Sequence, residues 1–91
     1  MNRFLIVTVH SQSQVDWAAL QKLFDSAINW VRYMPNCWIL KTTTDAATWS
    51  GRIRSVMNDD TDLVWVCKLD MSERQGWLPK FVWDWITMHN T

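Results

Sequence analysis

Residues 29–49, NWVRYMPNCWILKTTTDAATW, decide the fold that the sequence predicts. Apolar and aromatic side chains dominate 31–34 and 37–41, and each run has the length of a short strand. Pro35 and Asn36 stand between the two runs, and this pair favours a turn over a continuous central strand. The stretch therefore predicts two consecutive strands joined by a bend, and the polar residues after them predict the start of a helix.

Two helices are predicted, one before and one after this strand pair in the chain. The first follows a polar loop, with Ser13 as its N-terminal cap and Asp16 near its positive end. Its apolar stripe, which recurs at helical spacing, comprises Leu20, Leu23, Phe24, Ala27 and Ile28. The candidates for the cap of the second helix are Thr43, Thr44 and Asp45. The apolar face of that helix comprises Ala46, Trp49, Ile53 and Val56.

Residues 3–9 and 63–69 are apolar runs that predict two further strands, and the first is continuous enough to be buried on both faces. Pro79 fits the first turn of a last helix, where its missing N–H is not needed. The buried face of that helix comprises Leu78, Val82, Trp85 and Ile86. The order predicts one ferredoxin-like α+β domain over 1–91, βαββαβ, with two helices on one face of a four-stranded antiparallel sheet. The other face then needs a cover, either the C-terminal helix or a partner.

The composition is that of a small globular domain, with 48% hydrophobic and 20% charged residues. Nine basic and nine acidic residues cancel, which argues against a strongly basic, sequence-independent grip on duplex nucleic acid but leaves a local patch open. The apolar run near the N-terminus is too short for a signal peptide or a membrane span. The sequence therefore predicts a cytoplasmic protein that makes no membrane contact.

The cysteines and the acidic turn offer little to a metal ion. Cys37 and Cys67 lack the spacing and histidine partners of a zinc site, and their apolar surroundings predict two buried thiols. Asp59, Asp60 and Asp62 lack the glycine and distal glutamate of a calcium loop, so a solvated turn is favoured there. No metal and no cofactor are predicted.

Eight tryptophans are more than the core of a chain this short demands. Their spacing assigns four to the core, namely Trp30, Trp38, Trp49 and Trp85. Trp77 and Trp83 lie off the apolar stripe of the last helix, and Trp65 lies on the last strand. Aromatic residues are enriched at the buried centres of interfaces, so we predict a binding surface that contains Trp65, Trp77 and Trp83, with Arg52 and Arg54 as candidate cations.

The chain resembles the SinR-family small proteins, compact relatives of the ferredoxin-fold subunit of CRISPR adaptation and of VapD-like ribonucleases. The resemblance rests on FLIVTV at 4–9, AINWVRYMPNCWILKT at 27–42 and NDDTDLVWVCKL at 58–69, and it continues through Gly76 and Trp77 into the terminal helix. It implies a homodimer of ferredoxin-like protomers whose sheets meet across a two-fold axis.

The resemblance also bears on catalysis. Nucleases of this group carry an aspartate at the end of the first strand, where two copies hold a divalent metal across the dimer. This sequence has Val9 and His10 there, and Asp16 lies too far along the chain. This departure counts against a metal-dependent phosphodiesterase.

Three functions stay open at this point. The favoured one is a non-catalytic homodimeric binding protein that engages a macromolecule, preferably a protein, through an aromatic surface, for example as a phage or mobile-element inhibitor of a host defence complex. The second is a toxin-like ribonuclease, with His10 in proton transfer and Ser11 and Asp16 positioning phosphate or metal. The third is binding of a nucleotide or a cyclic oligonucleotide at the dimer seam through Arg52, Arg54 and an indole. Stacking of single-stranded nucleic acid on the exposed indoles also stays open.

Overall fold

The computed structural model describes residues 2–11, 16–57 and 61–89. Its elements are β1 (Arg3–His10), α1 (Trp17–Phe24), β2 (Asn29–Met34), β3 (Cys37–Thr42), α2 (Ala46–Arg54), β4 (Leu63–Leu69) and α3 (Lys80–His89). The four strands form one sheet in the order β2-β3-β1-β4, and all three pairings are antiparallel. The predicted α+β class is thus confirmed, with a four-stranded antiparallel sheet and three helices.

β1 lies inside the sheet, because it pairs with β3 on one side and with β4 on the other. Its side chains alternate between the two faces of the sheet. Leu5, Val7 and Val9 are fully buried in a core cluster that also contains side chains of α1 and α2. The two helices therefore cover the same face of the sheet, as the crossover argument predicts.

This first core is largely aromatic. Phe24 of α1 contacts Trp38 of β3 and Trp49 of α2, with ring centroids 5.1 and 6.3 Å apart. The indole of Trp49 is buried and donates a hydrogen bond of 3.1 Å to Thr42 Oγ1. Large rings supply much apolar area per residue, which is how a short chain fills the space between two helices and a sheet.

α3 packs on the opposite face of the sheet. Its buried residues, Val82 and Ile86, form a second core with Val31, Ile39 and Met71. Trp85 makes an edge-to-face contact with Phe4 at 6.1 Å and donates an indole hydrogen bond of 2.9 Å to Asn29. These partners lie where β1 begins and β2 begins, so α3 covers one end of this face.

Both ends of α1 differ from the prediction. Asp16, and not Ser13, is the N-cap of α1, since its carboxylate accepts a hydrogen bond of 3.1 Å from the Ala19 N–H; Ser13 itself lies outside the described residues. α1 ends at Phe24, and Ile28 is 52% exposed instead of lying on the apolar stripe. The Ile28 N–H bonds to the Lys41 carbonyl at 2.9 Å, so pairing with β3 takes this residue into the sheet.

The remaining predicted elements agree closely with the structure. β4 spans the predicted 63–69, and Asp45 is the cap of α2, its carboxylate accepting a hydrogen bond of 2.8 Å from the Thr48 N–H. α3 follows Pro79 directly. One prediction about the cysteines is wrong: Cys37 is buried, but Cys67 is exposed, because α3 does not reach that part of β4. Both thiols are free.

Within the described ranges, no helix combines the length and the apolar character that a membrane crossing requires.

Candidate binding surface

α3 packs on one end of its sheet face, and none of the described helices covers the other end of that face. Trp65 and Leu63 of β4 are each 66% exposed. Val64 and Val66, which alternate with them, pack against the first core on the opposite side of the sheet. We call this bare region the open face, and its members on β1 and β4 are Ile6, Thr8, His10, Leu63, Trp65 and Cys67.

A shallow hollow of about 360 Å³ lies on the open face. It is lined by Thr8, His10, Leu63, Val64 and Trp65. Strand pairing sets this arrangement, because Thr8 lies opposite Trp65 and His10 lies opposite Leu63. The hollow is largely apolar, and an aromatic ring forms one of its walls. Such a surface suits a large apolar side chain from another molecule.

A second hollow, of about 280 Å³, lies between the sheet and the segment that leads to α3. Ile6 and Ile39 line it from the sheet, and Tyr33 and Trp83 are its aromatic residues. Burial raises the pKa of Tyr33 to about 12, and its hydrogen bond with Cys37 acts in the same direction. The phenol therefore stays neutral throughout the physiological range. Since Ile6 belongs to the open face, the two hollows lie along one strip of the sheet.

The three indoles predicted to bind have different surroundings. Trp65 and Trp77 are strongly exposed, and Trp77 is accessible over its whole side chain. Trp83 is half-buried and packs against the second core. The Trp83 ring lies next to Gly76. A methyl group added at Gly76 would lie 3.9 Å from Trp83 Cζ2, an ordinary van der Waals contact. Trp83 therefore belongs in part to the scaffold, whereas Trp65 and Trp77 are presented to solvent.

Arg52 and Arg54 belong to α2, on the other side of the sheet from the open face. The Arg52 guanidinium lies 5.1 Å from the centroid of the Trp49 ring, so it covers the first core. The structure therefore does not bring the predicted arginines and Trp65 onto one face. A nucleotide could not contact all three from a single side of the sheet.

The residues of the ribonuclease alternative take up local structural roles. His10 is exposed at the end of β1 and contributes to the larger hollow. Ser11 donates a hydrogen bond of 2.5 Å from its hydroxyl to Asp62 Oδ1, and the Asp16 carboxylate caps α1.

No metal-binding cluster accompanies these residues. In the part of the chain that the structure describes, no three His, Cys, Asp or Glu side chains are grouped to hold a metal ion. Asp59 and Asp60 lie outside that part.

Sequence reasoning missed an aromatic clamp on the helix-covered face. The Arg32 guanidinium lies 5.3 Å from the Trp17 ring centroid and 5.0 Å from that of Trp38. It also donates hydrogen bonds to the Pro35 carbonyl through Nε, at 2.9 Å, and through Nη2. The predicted strand 31–34 hid this relation, because Arg32 alternates with Trp30, and so shares its face, only when β2 begins at Asn29.

Two exposed apolar residues of α3 were also missed. Phe81 is 58% exposed and Met88 is 70% exposed. They are seven residues apart, which places them on one side of the helix. This spacing was visible in the sequence, and it marks a smaller apolar stripe that points away from the sheet.

Comparison of the chain with protein-family models, with curated proteins and with solved structures finds no match. The resemblance to the SinR family therefore stays a prediction, and the function rests on the geometry of the surface.

Proposed function

We propose that this chain is a non-catalytic protein-binding domain of ferredoxin-like fold that acts as a homodimer and contacts its partner through the open face. The strand order β2-β3-β1-β4, with α1 and α2 on one side, supports the fold assignment. The observation that carries the functional proposal is the exposure of Trp65 next to an equally exposed Leu63 on a regular strand.

The energetic argument concerns those two side chains. Full burial of a large apolar side chain contributes about 1.5–3 kcal/mol. Because Trp65 and Leu63 are each 66% exposed, a partner that covers both can gain roughly 2–4 kcal/mol of binding free energy. That range is typical of the few residues that dominate a protein–protein interface. Trp65 also has an indole N–H, which can bind a polar group at the rim of such a contact.

The charge around the open face favours a protein over a nucleic acid. The described residues that line the larger hollow include no lysine, no arginine and no carboxylate. At the second hollow, Arg74 is accompanied by Asp70 and Glu73. Single-stranded nucleic acid requires a positively charged groove beside its stacking platform. The centres of protein interfaces, in contrast, are depleted in charge and enriched in aromatic rings.

The context proposed for this surface is that of a phage or mobile-element protein that occludes a component of a host defence complex. The concentration of exposed apolar side chains supports occlusion as the mode of action, because covering a partner surface needs no catalytic group.

Site-specific photo-crosslinking tests the proposal. A benzophenone amino acid replaces Trp65 in the full chain, and the matched control carries it at Phe81, which is similarly exposed but lies on α3. After irradiation in a lysate of the native host, position 65 should give a covalent adduct with one protein other than this chain, and position 81 should not. Adducts with RNA, equal adducts from both positions, or none from position 65 would contradict protein binding through the open face.

A further inference from the structure

The outer edge of β4 differs from the other edge of the sheet. β4 pairs with β1 along all seven of its residues, and among the described residues no strand lies on its other side in the order β2-β3-β1-β4. A free strand edge offers a row of backbone donors and acceptors to any chain that can align with it. Natural proteins usually obstruct such edges with prolines, bulges or charges.

β2 carries a register shift and is followed by a proline, and β4 has neither. The register of β2 shifts between Arg32 and Met34, and Pro35 follows at once. The Arg32 side chain also bonds to the Pro35 carbonyl at that end. β4, with the sequence LVWVCKL, contains no proline, pairs in regular register and has Lys68 as its one charged residue. The edge of β4 is therefore ready to accept another strand.

The sequence of β4 is complementary to itself in an antiparallel pair centred on Val66. On the open face this register sets Trp65 against the partner's Cys67 and Leu63 against the partner's Leu69. On the helix-covered face it sets Lys68 against the partner's Val64. Within residues 63–69 no like charges are opposed, and opposed like charges are what destabilises cross-strand pairs. The same register brings Asp62 near the partner's Asp70 only beyond the two ends of the paired strands. The formal net charge of zero adds no repulsion between copies.

We infer that β4 of one protomer pairs with β4 of a second copy, so that two four-stranded sheets form one eight-stranded sheet. The two-fold axis is perpendicular to the sheet, and both open faces therefore lie on the same side. The two Trp65 residues become diagonal neighbours across the seam, about 7–8 Å apart between their Cα atoms. Each partner-binding surface then includes an indole from both copies. This step rests on the proposed function, because it makes the dimer part of that surface.

Pairing of seven-residue edges buries less than a standard protein–protein interface. We therefore expect a dissociation constant on the order of 10 μM. Sedimentation velocity of the purified full chain, over roughly 1–200 μM, should show a reversible shift from monomer to dimer across this value. A monomer at every concentration overturns the inference.

Disulfide trapping tests the register. The Trp65→Cys variant places a thiol opposite the partner's native Cys67, within the Cα separation that a disulfide accepts. Residue 65 is largely exposed, so the fold should tolerate the change. The control is Met88→Cys, which adds a thiol at an exposed position on α3.

Under mild oxidation, Trp65→Cys should form a doubly bridged dimer about a hundredfold faster than the control, because pairing raises the effective thiol concentration to the millimolar range. Equal rates for the two variants overturn the β4 seam. Failure of this inference is distinguishable from failure of the proposed function. A monomer that still gives the position-65 adduct with another protein removes only the seam, and a trapped dimer without an adduct to another protein removes only the partner.

Discussion

The indole N–H of Trp49 donates a hydrogen bond to the hydroxyl of Thr42, 3.1 Å away, inside the first core. Thr42 is the buried polar residue of the described core, and its hydroxyl oxygen also accepts a hydrogen bond from the Thr44 N–H. One side chain thus links the end of β3, the turn that follows and the buried face of α2. An unsatisfied buried donor is expensive, so this position should be intolerant of apolar replacement.

Replacement of this hydroxyl is the first test. Thr42→Val keeps the volume but leaves the Trp49 N–H without an acceptor, which should lower the free energy of unfolding by about 1–3 kcal/mol. Urea denaturation measures the loss. Thr43→Val, at the neighbouring exposed position, should change stability by less than about 0.5 kcal/mol. Equal effects at the two positions would contradict a specific role for the hydrogen bond.

The aromatic clamp on Arg32 gives a second prediction. Arg32→Ala removes two cation–π contacts and the bonds to the Pro35 carbonyl. Exposed cation–π contacts contribute about 0.5–1 kcal/mol each, so urea denaturation should show a loss of about 1–2 kcal/mol.

The conservative variant separates charge from shape at this position. Arg32→Lys should recover part of the stability at most, because an ammonium cannot reproduce the planar stacking of a guanidinium. Full recovery in Arg32→Lys would contradict stacking as the cause.

The indoles at 77 and 83 should respond differently to truncation. Trp83 is half-buried against the second core, so Trp83→Ala should lower stability by about 1–3 kcal/mol. Trp77 is fully exposed, and Trp77→Ala should leave stability within about 0.5 kcal/mol of wild type. Thermal unfolding followed by circular dichroism checks both. A loss of partner capture in Trp83→Ala alone would reflect unfolding, so Trp77→Ala and Trp65→Ala are the informative binding variants.

The two thiols should differ in reactivity. Cys67 is exposed and Cys37 is buried, so a maleimide should label one thiol per folded chain and the second only after denaturation. Labelling at about 1 μM keeps the chain monomeric if the β4 seam has the expected affinity. Cys67→Ser should abolish the fast phase, whereas rapid labelling of that variant would show that Cys37 is accessible.

The dependence of the free energy of unfolding on acidic pH gives a further prediction. Hydrogen bonds from the Thr48 side chain and backbone lower the pKa of Asp45, and hydrogen bonds from Ser72 lower that of Asp70. A carboxyl whose pKa is depressed in the folded state contributes stability above its unfolded pKa, and the contribution is lost as the pH falls through the folded pKa. Stability should therefore decline below about pH 4.

Two amide variants test the source of that decline. Asp45→Asn and Asp70→Asn keep hydrogen-bonding side chains at these positions without a titrating group. Each should flatten the decline in urea denaturation measured between neutral pH and about pH 3. An unchanged slope in the double variant would contradict this origin.

The parts of the fold that were predictable are those set by local chemistry. The apolar run 63–69, the cap at Asp45 and the helix after Pro79 agree with the structure because each signal lies within a few residues of the element it starts. The end of α1 was not predictable in this way. There the Ile28 N–H bonds to the carbonyl of Lys41, thirteen residues away, and the helical pattern continued past the true boundary.

The candidate site was predictable to a similar degree. Alternation along β4 places Trp65 and Cys67 on one face, but it does not reveal which face a helix covers. The reach of α3 across the sheet decides this, and it covers Phe4 and Val31 but not Trp65. The exposure of Trp65 therefore depends on how the helices pack on the sheet, which the sequence pattern does not reveal. The same is true of the placement of Arg52 and Trp65 on opposite sides of the sheet.

The interior position of β1 bears on how the protein is made. Of the described elements β1 is synthesised first, yet both of its neighbours in the sheet, β3 and β4, come later in the chain. The apolar stretch FLIVTV thus has no partner until β3 has been made, at residue 42, and it lacks its second neighbour until translation has passed residue 69. The sheet can be completed only after β4 has been made, and until then the exposed strand offers a target for chaperones that bind apolar segments.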